Sequence, residues 1–582
     1  MMVRSKLLVV LPAVLLLSFG FAQAQTLITA CGRYHGNLRL DADLTATSNC
    51  IIIDGDNTTL DGCAAYTGGN CTSKHSISVS GAASVQVLEY SNDVVIKNIS
   101  TNARIKIDGV AALDCSSDRT VKRVTISNIN STGGGIDVTQ ACDITIQNNV
   151  LSGGGIGISS AYAMTGPYTV RNNTIDYNVF NSSAAYFFNV KELTFDQNQL
   201  HGNFYLESNW GRATNVRITN NNLMSEHGLC DTHDVFRVKT LENSLVDHNV
   251  IESRAQQDVC PVTNANIPAV VAKLYTNTNT VFSYNRIFSN NITASYGAIE
   301  LRSSNIGNTF YRNEFVVPVA GSSAMMSHFS NQCCDAEGYF PPLDQNHCTG
   351  AGGGTSYGYC CNPADGNYRA PYTSPCHQRH NVWDSNLLYG GESGVWHYGD
   401  SRDNTFKNNV IVGKYGITAG GCEAGTGFTY YYNNTIHGTT AALRDMANCA
   451  IQARNNIFFS NGAASIVPSA TGFDGSEFQG DYNLFWPNYN SSQAHPRTGN
   501  PGFVNATAAD PFQRDYRLSS SSSPARNAGD PATAATPMSI TVDRVGQVRP
   551  DAGGLADIGA YEYGSVPVDP NAPAAPANLR TQ

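Results

Sequence analysis

Along most of this chain, short runs of alternating β-formers recur, each closed by Asn and a further apolar residue. Val94-Val95-Ile96-Lys97-Asn98-Ile99, Val124-Thr125-Ile126-Ser127-Asn128-Ile129 and Ile144-Thr145-Ile146-Gln147-Asn148-Asn149-Val150 are three of them. Val216-Arg217-Ile218-Thr219-Asn220-Asn221-Asn222-Leu223 is a fourth, and further copies pass through Asn249, Asn285, Asn313, Asn409, Asn434 and Asn456. Successive copies are usually about 20 to 30 residues apart. A unit of that size cannot bury its own apolar face, so the copies must stack into a solenoid. Period-two runs bounded by Gly and Asn turns predict strands, hence an all-β fold. Asn tolerates the left-handed backbone of a tight corner. Repeated at one corner, its amides can join into a hydrogen-bonded ladder. These asparagines are therefore read as scaffold rather than chemistry.

Segments outside the repeat define the domain organisation. Arg4 and Lys6 precede an apolar stretch from Leu7 to Phe21 and then Ala22-Gln23-Ala24, the layout of a secretory signal over residues 1–24. That stretch is shorter than the ~20 residues of a membrane span, and no second one of its length follows. A secreted, extracellular or periplasmic protein is expected, working as a monomer. All 16 cysteines lie beyond the signal, so disulfides are expected. The β-helix should run over 25–563, opening with Asn37-Leu38-Arg39-Leu40 and Ile51-Ile52-Ile53-Asp54. A loop insertion over 331–376 holds six of the cysteines, Cys333, Cys334, Cys348, Cys360, Cys361 and Cys376. A capping segment is expected over about 500–563, and a Pro/Ala-rich linker or tail over 564–582.

The formal net charge of -10 argues against a nucleic-acid partner, which needs a broad basic surface. Within this acidic chain the repeat exposes a local exception. Six residues before Asn243, Asn279, Asn308 and Asn404 stand Arg237, Lys273, Arg302 and Tyr398. Equal offsets in successive coils should stack about 4.8 Å apart. In Phe236-Arg237-Val238-Lys239, Ala272-Lys273-Leu274-Tyr275 and Glu300-Leu301-Arg302, alternation sets the apolar side chains on one face. It sets Arg237, Lys239, Lys273, Tyr275, Glu300 and Arg302 together on the other. Trp396 and Tyr398 are spaced in the same way, with His397 between them. An exposed strip of cations and aromatics would attract a polyanion such as an acidic polysaccharide.

The opening strands, the Asn-closed coils and the terminal Asp557-Ile558-Gly559-Ala560-Tyr561-Glu562-Tyr563 resemble secreted bacterial proteins of the pectate-lyase-like superfamily. That resemblance covers nearly all of the mature chain and implies a single-stranded right-handed parallel β-helix with capped ends. It implies little about function, because this scaffold serves lyases, hydrolases, epimerases and binding proteins. Val270-Val271-Ala272-Lys273 with Asn279-Thr280-Val281-Phe282-Ser283-Tyr284-Asn285, and Glu300-Leu301-Arg302 with Asn308-Thr309-Phe310-Tyr311-Arg312-Asn313, resemble polysaccharide lyase family six. Its members include alginate lyases and chondroitinase B-type enzymes. The resemblance implies that Lys273 is the proton-abstracting base and that Arg302 serves catalysis. The chain departs from that family at Ser303, where His is usual. It departs again at Asn264-Ala265-Asn266-Ile267-Pro268, where acidic calcium ligands are usual. No cofactor is assigned, and Ca2+ is kept only as the candidate metal.

Uronate β-elimination needs a carboxylate neutraliser, a base and an acid for the leaving oxygen. Lys273 is the expected base, its pKa pushed down by flanking Arg237 and Arg302. Arg302 or Arg237 would neutralise the carboxylate. Tyr275, Tyr398 or His397 would supply the proton, while Lys239, Glu300 and Trp396 would line the substrate. Asp231-Thr232-His233-Asp234 resembles the Asp-Pro-His-Asp of mannuronan C5-epimerases, which places His233 at the substrate and keeps an epimerase as one alternative. A non-catalytic glycan-binding protein is the other.

Overall fold

The computed structural model describes residues 25–566, apart from 82, 111–114, 116–119, 161–164, 180–181, 209–210, 228–233, 255–269, 290–296, 303–304, 329–377, 398–400, 421–426, 446–448, 468–477, 488–492 and 550–553. The expected signal, the insertion and nearly all of the tail lie outside the described residues, as do His233 and Tyr398.

Each coil carries three short strands around a filled interior. Among the described residues, seventeen strands stack as one parallel sheet on the first face, from Thr26–Ile28 to Phe478–Asp481. The described strands after the Asn corner and those of the third face join into one 31-stranded parallel sheet. They join because Val410–Ala419 and Thr435–Asp445 run through the corner between the two faces. The fold is a parallel β-helix, with the right-handed winding that parallel strand connections adopt. Helix is confined, among the described residues, to one turn at Pro511–Gln513.

The alternation predicted from sequence decides what fills the interior. Val94, Ile96, Val124, Ile126, Ile144 and Ile146 point inward and are fully buried. Their partners Val95, Thr125 and Thr145 stand outside in register. Further along, the aliphatic columns give way to aromatic ones. Phe282, Phe310, Trp383, Phe406 and Tyr431 stack in successive coils with centroids 3.8 to 5.6 Å apart. Burying one such side chain is worth about 1.5–3 kcal/mol, and stacking adds to it.

The corner chemistry divides between two adjacent positions. The first residue adopts a left-handed backbone, as at Asn148, Asn172, Asn220, Asn408, Asn433 and Asn455. The second turns its amide inward. Asn149, Asn173, Asn198, Asn221, Asn249, Asn285, Asn313, Asn386, Asn409, Asn434, Asn456 and Asn483 form one continuous ladder. In each step Nδ2 donates to the next Oδ1 at 2.8–3.0 Å. Gln493 closes the series by accepting from Asn483.

Disulfides Cys31–Cys50, Cys63–Cys71 and Cys115–Cys142 tie the early coils. No helix among the described residues is long and apolar enough to cross a membrane. The segment over about 500–563, expected as a capping segment, folds back as a strap along the second face. Phe512 packs on Phe288 and Arg286. Tyr516 bonds His437 at 2.8 Å. Asn408, Asn433 and Asn455, the left-handed corner residues, donate to Val542, Asp557 and Thr533. Arg549 and Glu562 form a fully buried pair at 2.7 Å within the strap.

Candidate functional site

The charged cluster sits on the outward side of the third face, on strands Asp234–Lys239, Val270–Tyr275 and Gly297–Arg302. Inward, Phe236, Val238, Ala272, Leu274, Ile299 and Leu301 are locked in the core, which fixes the direction of the residues between them. In register along the outer surface run Gly157, Tyr186, Tyr205, Arg237, Lys273, Glu300, Met326 and Trp396. A second column carries Lys239, Tyr275 and Arg302.

This register corrects the sequence offset for Arg302, which stands beside Tyr275 rather than Lys273. The counterpart of Asn308 is Thr280, whose N–H donates to the Asn308 Oδ1, and not Asn279. The turn also lengthens, because eight positions separate Glu300 from Asn308 but only seven separate Lys273 from Thr280. Counting from one Asn to another hid both changes.

The strip is also neither open nor uniformly basic. Arg237 is buried and held by Asp234 in a two-pronged pair, Nε–Oδ2 2.7 Å and Nη2–Oδ1 3.0 Å. Lys239 Nζ lies 3.0 Å from Glu207 Oε1. Glu300, its side chain 0% exposed, takes Arg302 Nε at 2.6 Å on one oxygen and Lys273 Nζ at 3.4 Å on the other. Four cations thus interleave with three carboxylates, which removes most of the repulsion that a bare basic column would suffer. Burying these groups is tolerable only because they are paired.

Burial also shifts the titration of Lys273. Its side chain is 5% exposed. Burial pushes its ammonium pKa down first; Glu300 and Asp234 oppose this, and Arg302 and Arg237 reinforce it. The expected direction is right, but desolvation leads and the arginines come last. Tyr275 lies between Lys239 and Arg302, at 5.2 and 6.0 Å from its ring, and burial raises its phenol pKa so that it stays protonated. Arg237 stacks on Tyr205 at 4.8 Å. Trp396 points outward, two coils beyond Glu300, with buried Met326 between them.

His397 is corrected. It turns into the solenoid interior, bonds Ser401 Oγ at 3.0 Å and Tyr431 OH, and packs edge-on against Phe406. Complete burial lowers its pKa to about 4. Residues 396 and 398 were assigned outward by alternation, and the same rule sends 397 inward.

Tyr205 and Tyr186 were missed in the sequence. Their neighbours Phe204 and Phe187 are core, and only strict alternation separates the two pairs. The Asp234–Arg237 pair was missed because its odd spacing reads as opposite faces of a strand. No group of three His, Cys, Asp or Glu side chains able to hold a metal occurs among the described residues. The segment 264–268, where calcium ligands are usual in family six, lies outside them.

No protein-family model matches the chain, and no curated protein sequence matches it. Among solved structures the chain is similar to the A-module of the mannuronan C-5 epimerase AlgE6 from Azotobacter vinelandii. That alignment covers 64% of this chain and 90% of the module, at 13% identity and a TM-score of 0.38. It is also similar to pectate lyase Pel9A, over 89% of this chain and 97% of that one, at 11% identity and a TM-score of 0.24.

Proposed function

We propose that this protein is a polysaccharide lyase cleaving a uronic-acid polymer by β-elimination. The observation that carries the reading is the placement of Lys273. It is a buried lysine with a lowered pKa, set in register between Arg237 and Glu300 and bordered by Tyr275 and Arg302. A base must shed its proton near working pH, and desolvation moves a lysine in that direction. Lys273 Nζ takes the C5 proton of the uronate while a guanidinium, Arg302 foremost, stabilises the charge on its carboxylate. The C4–C5 double bond forms as the C4–O bond breaks, and the leaving oxygen takes the proton of the Tyr275 phenol. Glu300 holds Lys273 and Arg302 at a fixed separation by binding both. Calcium has no assigned part in this scheme.

A glycan-binding protein without chemistry is the second reading, favoured by one observation. Every cation of the cluster already has a carboxylate partner, which is also how a purely structural network is built. The deciding experiment monitors ultraviolet absorbance of the unsaturated uronate on alginate, pectate and glycosaminoglycan panels. Turnover on one polymer should fall at least a thousandfold, on the order of a lost general base and its positioning, in Lys273→Ala, assayed below its own thermal midpoint because buried Glu300 loses one of its two cations. Binding without absorbance change on any polymer would overturn the lyase reading and leave an epimerase or a binding protein.

A further inference from the structure

The outer column does not end at Arg237. Beyond it come Tyr205 and Tyr186, whose rings stack 5.4 Å apart within 5° of parallel. Phe188, two residues along the same strand, lies with its ring 6.2 Å from Tyr186 and within 6° of parallel. One side of Tyr205 takes Arg237 and the other takes Tyr186. The next strand on the far side of Tyr186 carries Gly157 in register, and Ser159 stands in register with Phe188. One coil further on stand Asp137 and Thr139. Asp137 is paired with Arg104 at 2.9 Å, and Lys106 is its register neighbour.

Among the described residues, this arrangement is a step in the surface one coil wide. Its wall is a two-ring aromatic face, its floor is glycine and serine, and its opposite side is a carboxylate flanked by cations. Tyr186 and Asp137 stand two coils apart, roughly 10 Å at the usual strand spacing. All six of Tyr186, Phe188, Gly157, Ser159, Asp137 and Thr139 are partly solvent-exposed. The C–H face of a pyranose ring is apolar and rigid and pairs with an aromatic face, while its edge hydroxyls and carboxylate need polar partners.

We propose that the step formed by Tyr186, Phe188, Gly157 and Ser159 is a subsite that stacks one sugar of an acidic polysaccharide. It lies on the same column as Lys273, its wall three coils away and its floor four, or roughly 14 to 19 Å. The choice of an acidic polysaccharide rests on the functional reading above; the step itself does not. A chain laid across the coils places one unit here while another reaches the charged cluster. The subsite therefore acts on long chains and not on the shortest ones. Gly157 is the residue that keeps it open. A Cβ there would meet only Asp137 Oδ1, at an ordinary 3.4 Å, so the backbone has room for a side chain that projects into the step.

The test is calorimetric titration of the full chain with size-fractionated oligosaccharides of alginate, polygalacturonate and dermatan sulfate. Tyr186→Ala and Gly157→Leu should each weaken binding of the longest fragments about tenfold, the scale of one lost stacking contact. Tyr186→Phe should bind as the wild type does, and the shortest fragments should not distinguish any variant. Thermal midpoints identify a variant that has failed to fold; if Gly157→Leu fails, the comparison of Tyr186→Ala with Tyr186→Phe decides, and if Tyr186→Ala fails, Gly157→Leu decides. Equal affinity of folded Tyr186→Ala and wild type for long fragments overturns the subsite, as does a wild type that binds none of the three series. If the length-dependent loss appears while Lys273→Ala still turns substrate over, the subsite stands and the assignment of the base falls. If Lys273→Ala is inactive and Tyr186→Ala binds normally, the reverse holds.

Discussion

Asn313 stands in the middle of the ladder and is fully buried, so its truncation isolates what one rung contributes. Its Nδ2 donates to Asn386 Oδ1 at 3.0 Å and to Phe282 O at 2.8 Å. Its Oδ1 accepts from the backbone N–H of Asn285 at 2.9 Å and from Asn285 Nδ2 at 3.0 Å. Two of the affected groups keep other partners. Asn386 Oδ1 still accepts from the Asn313 N–H, and Asn285 Nδ2 still donates to Val246 O. The Asn285 N–H loses its acceptor inside the fold, at a cost of about 1–3 kcal/mol, and each weakened bond adds about 0.5–1 kcal/mol. Asn313→Ala should therefore destabilise the surrounding coils by roughly 3–5 kcal/mol. Thr309→Ala, on the outer side of the same coil, should stay within about 0.5 kcal/mol. Coils interact mainly with their neighbours, so a local measurement is the informative one. Hydrogen exchange of the amides from Phe282 to Phe315 reads the opening free energy there. If that free energy fell no further in Asn313→Ala than in Thr309→Ala, the ladder would be decoration, and the energetic account of the corners would be wrong.

Two further predictions concern pH. Glu562 is pushed up to about 7, chiefly by burial, with Asp557 and Asp543 adding to the effect and Arg549 opposing it. The folded state thus favours the protonated acid, and stability should fall as pH rises from about 4.5 to about 7. Glu562→Gln should flatten that slope in thermal midpoints measured across the window, and an unchanged slope would refute the assignment. His397, lowered to about 4 by burial, works in the opposite sense. Its contribution is present above about 6.5 and is lost as pH falls toward about 4, because the unfolded chain takes up the proton first. His397→Gln should reduce acid destabilisation in that range, and calorimetry at matched pH values would show a wild-type profile if the reasoning fails.

The scaffold was legible because both of its rules are local. Alternation in runs such as Val124-Thr125-Ile126 states which side faces inward, and the Asn corner marks where each strand ends. The doublets Asn408-Asn409, Asn433-Asn434 and Asn455-Asn456 even carry two jobs, the first residue holding the strap and the second the ladder. Long-range register was harder, because a coil can gain a residue in a turn without disturbing its core, as happens between Glu300 and Asn308. Burial of Arg237 and Lys273 was not legible either. Their pairing with Asp234 and Glu300 depends on which strands become neighbours, and alternation within a strand is silent about that. Lys239 and its partner Glu207 lie more than thirty residues apart in sequence.

The returning strap has a consequence for how such a chain can change over time. Most of a solenoid is modular, since a coil could be duplicated or lost and the flanking coils would meet much as before. The strap reaches from Phe288 to Asn455 with anchors at set places, Tyr389, Asn408, Asn433 and Thr435 among them. It works as a tally stick cut for one number of coils, so an added turn would leave its notches misaligned. The stretch it spans is held to a fixed count, while the coils before Arg286 are free to vary in number. Those earlier coils are the ones that carry Gly157, Tyr186 and Tyr205, so the outer surface there can lengthen or shorten without disturbing what the strap secures.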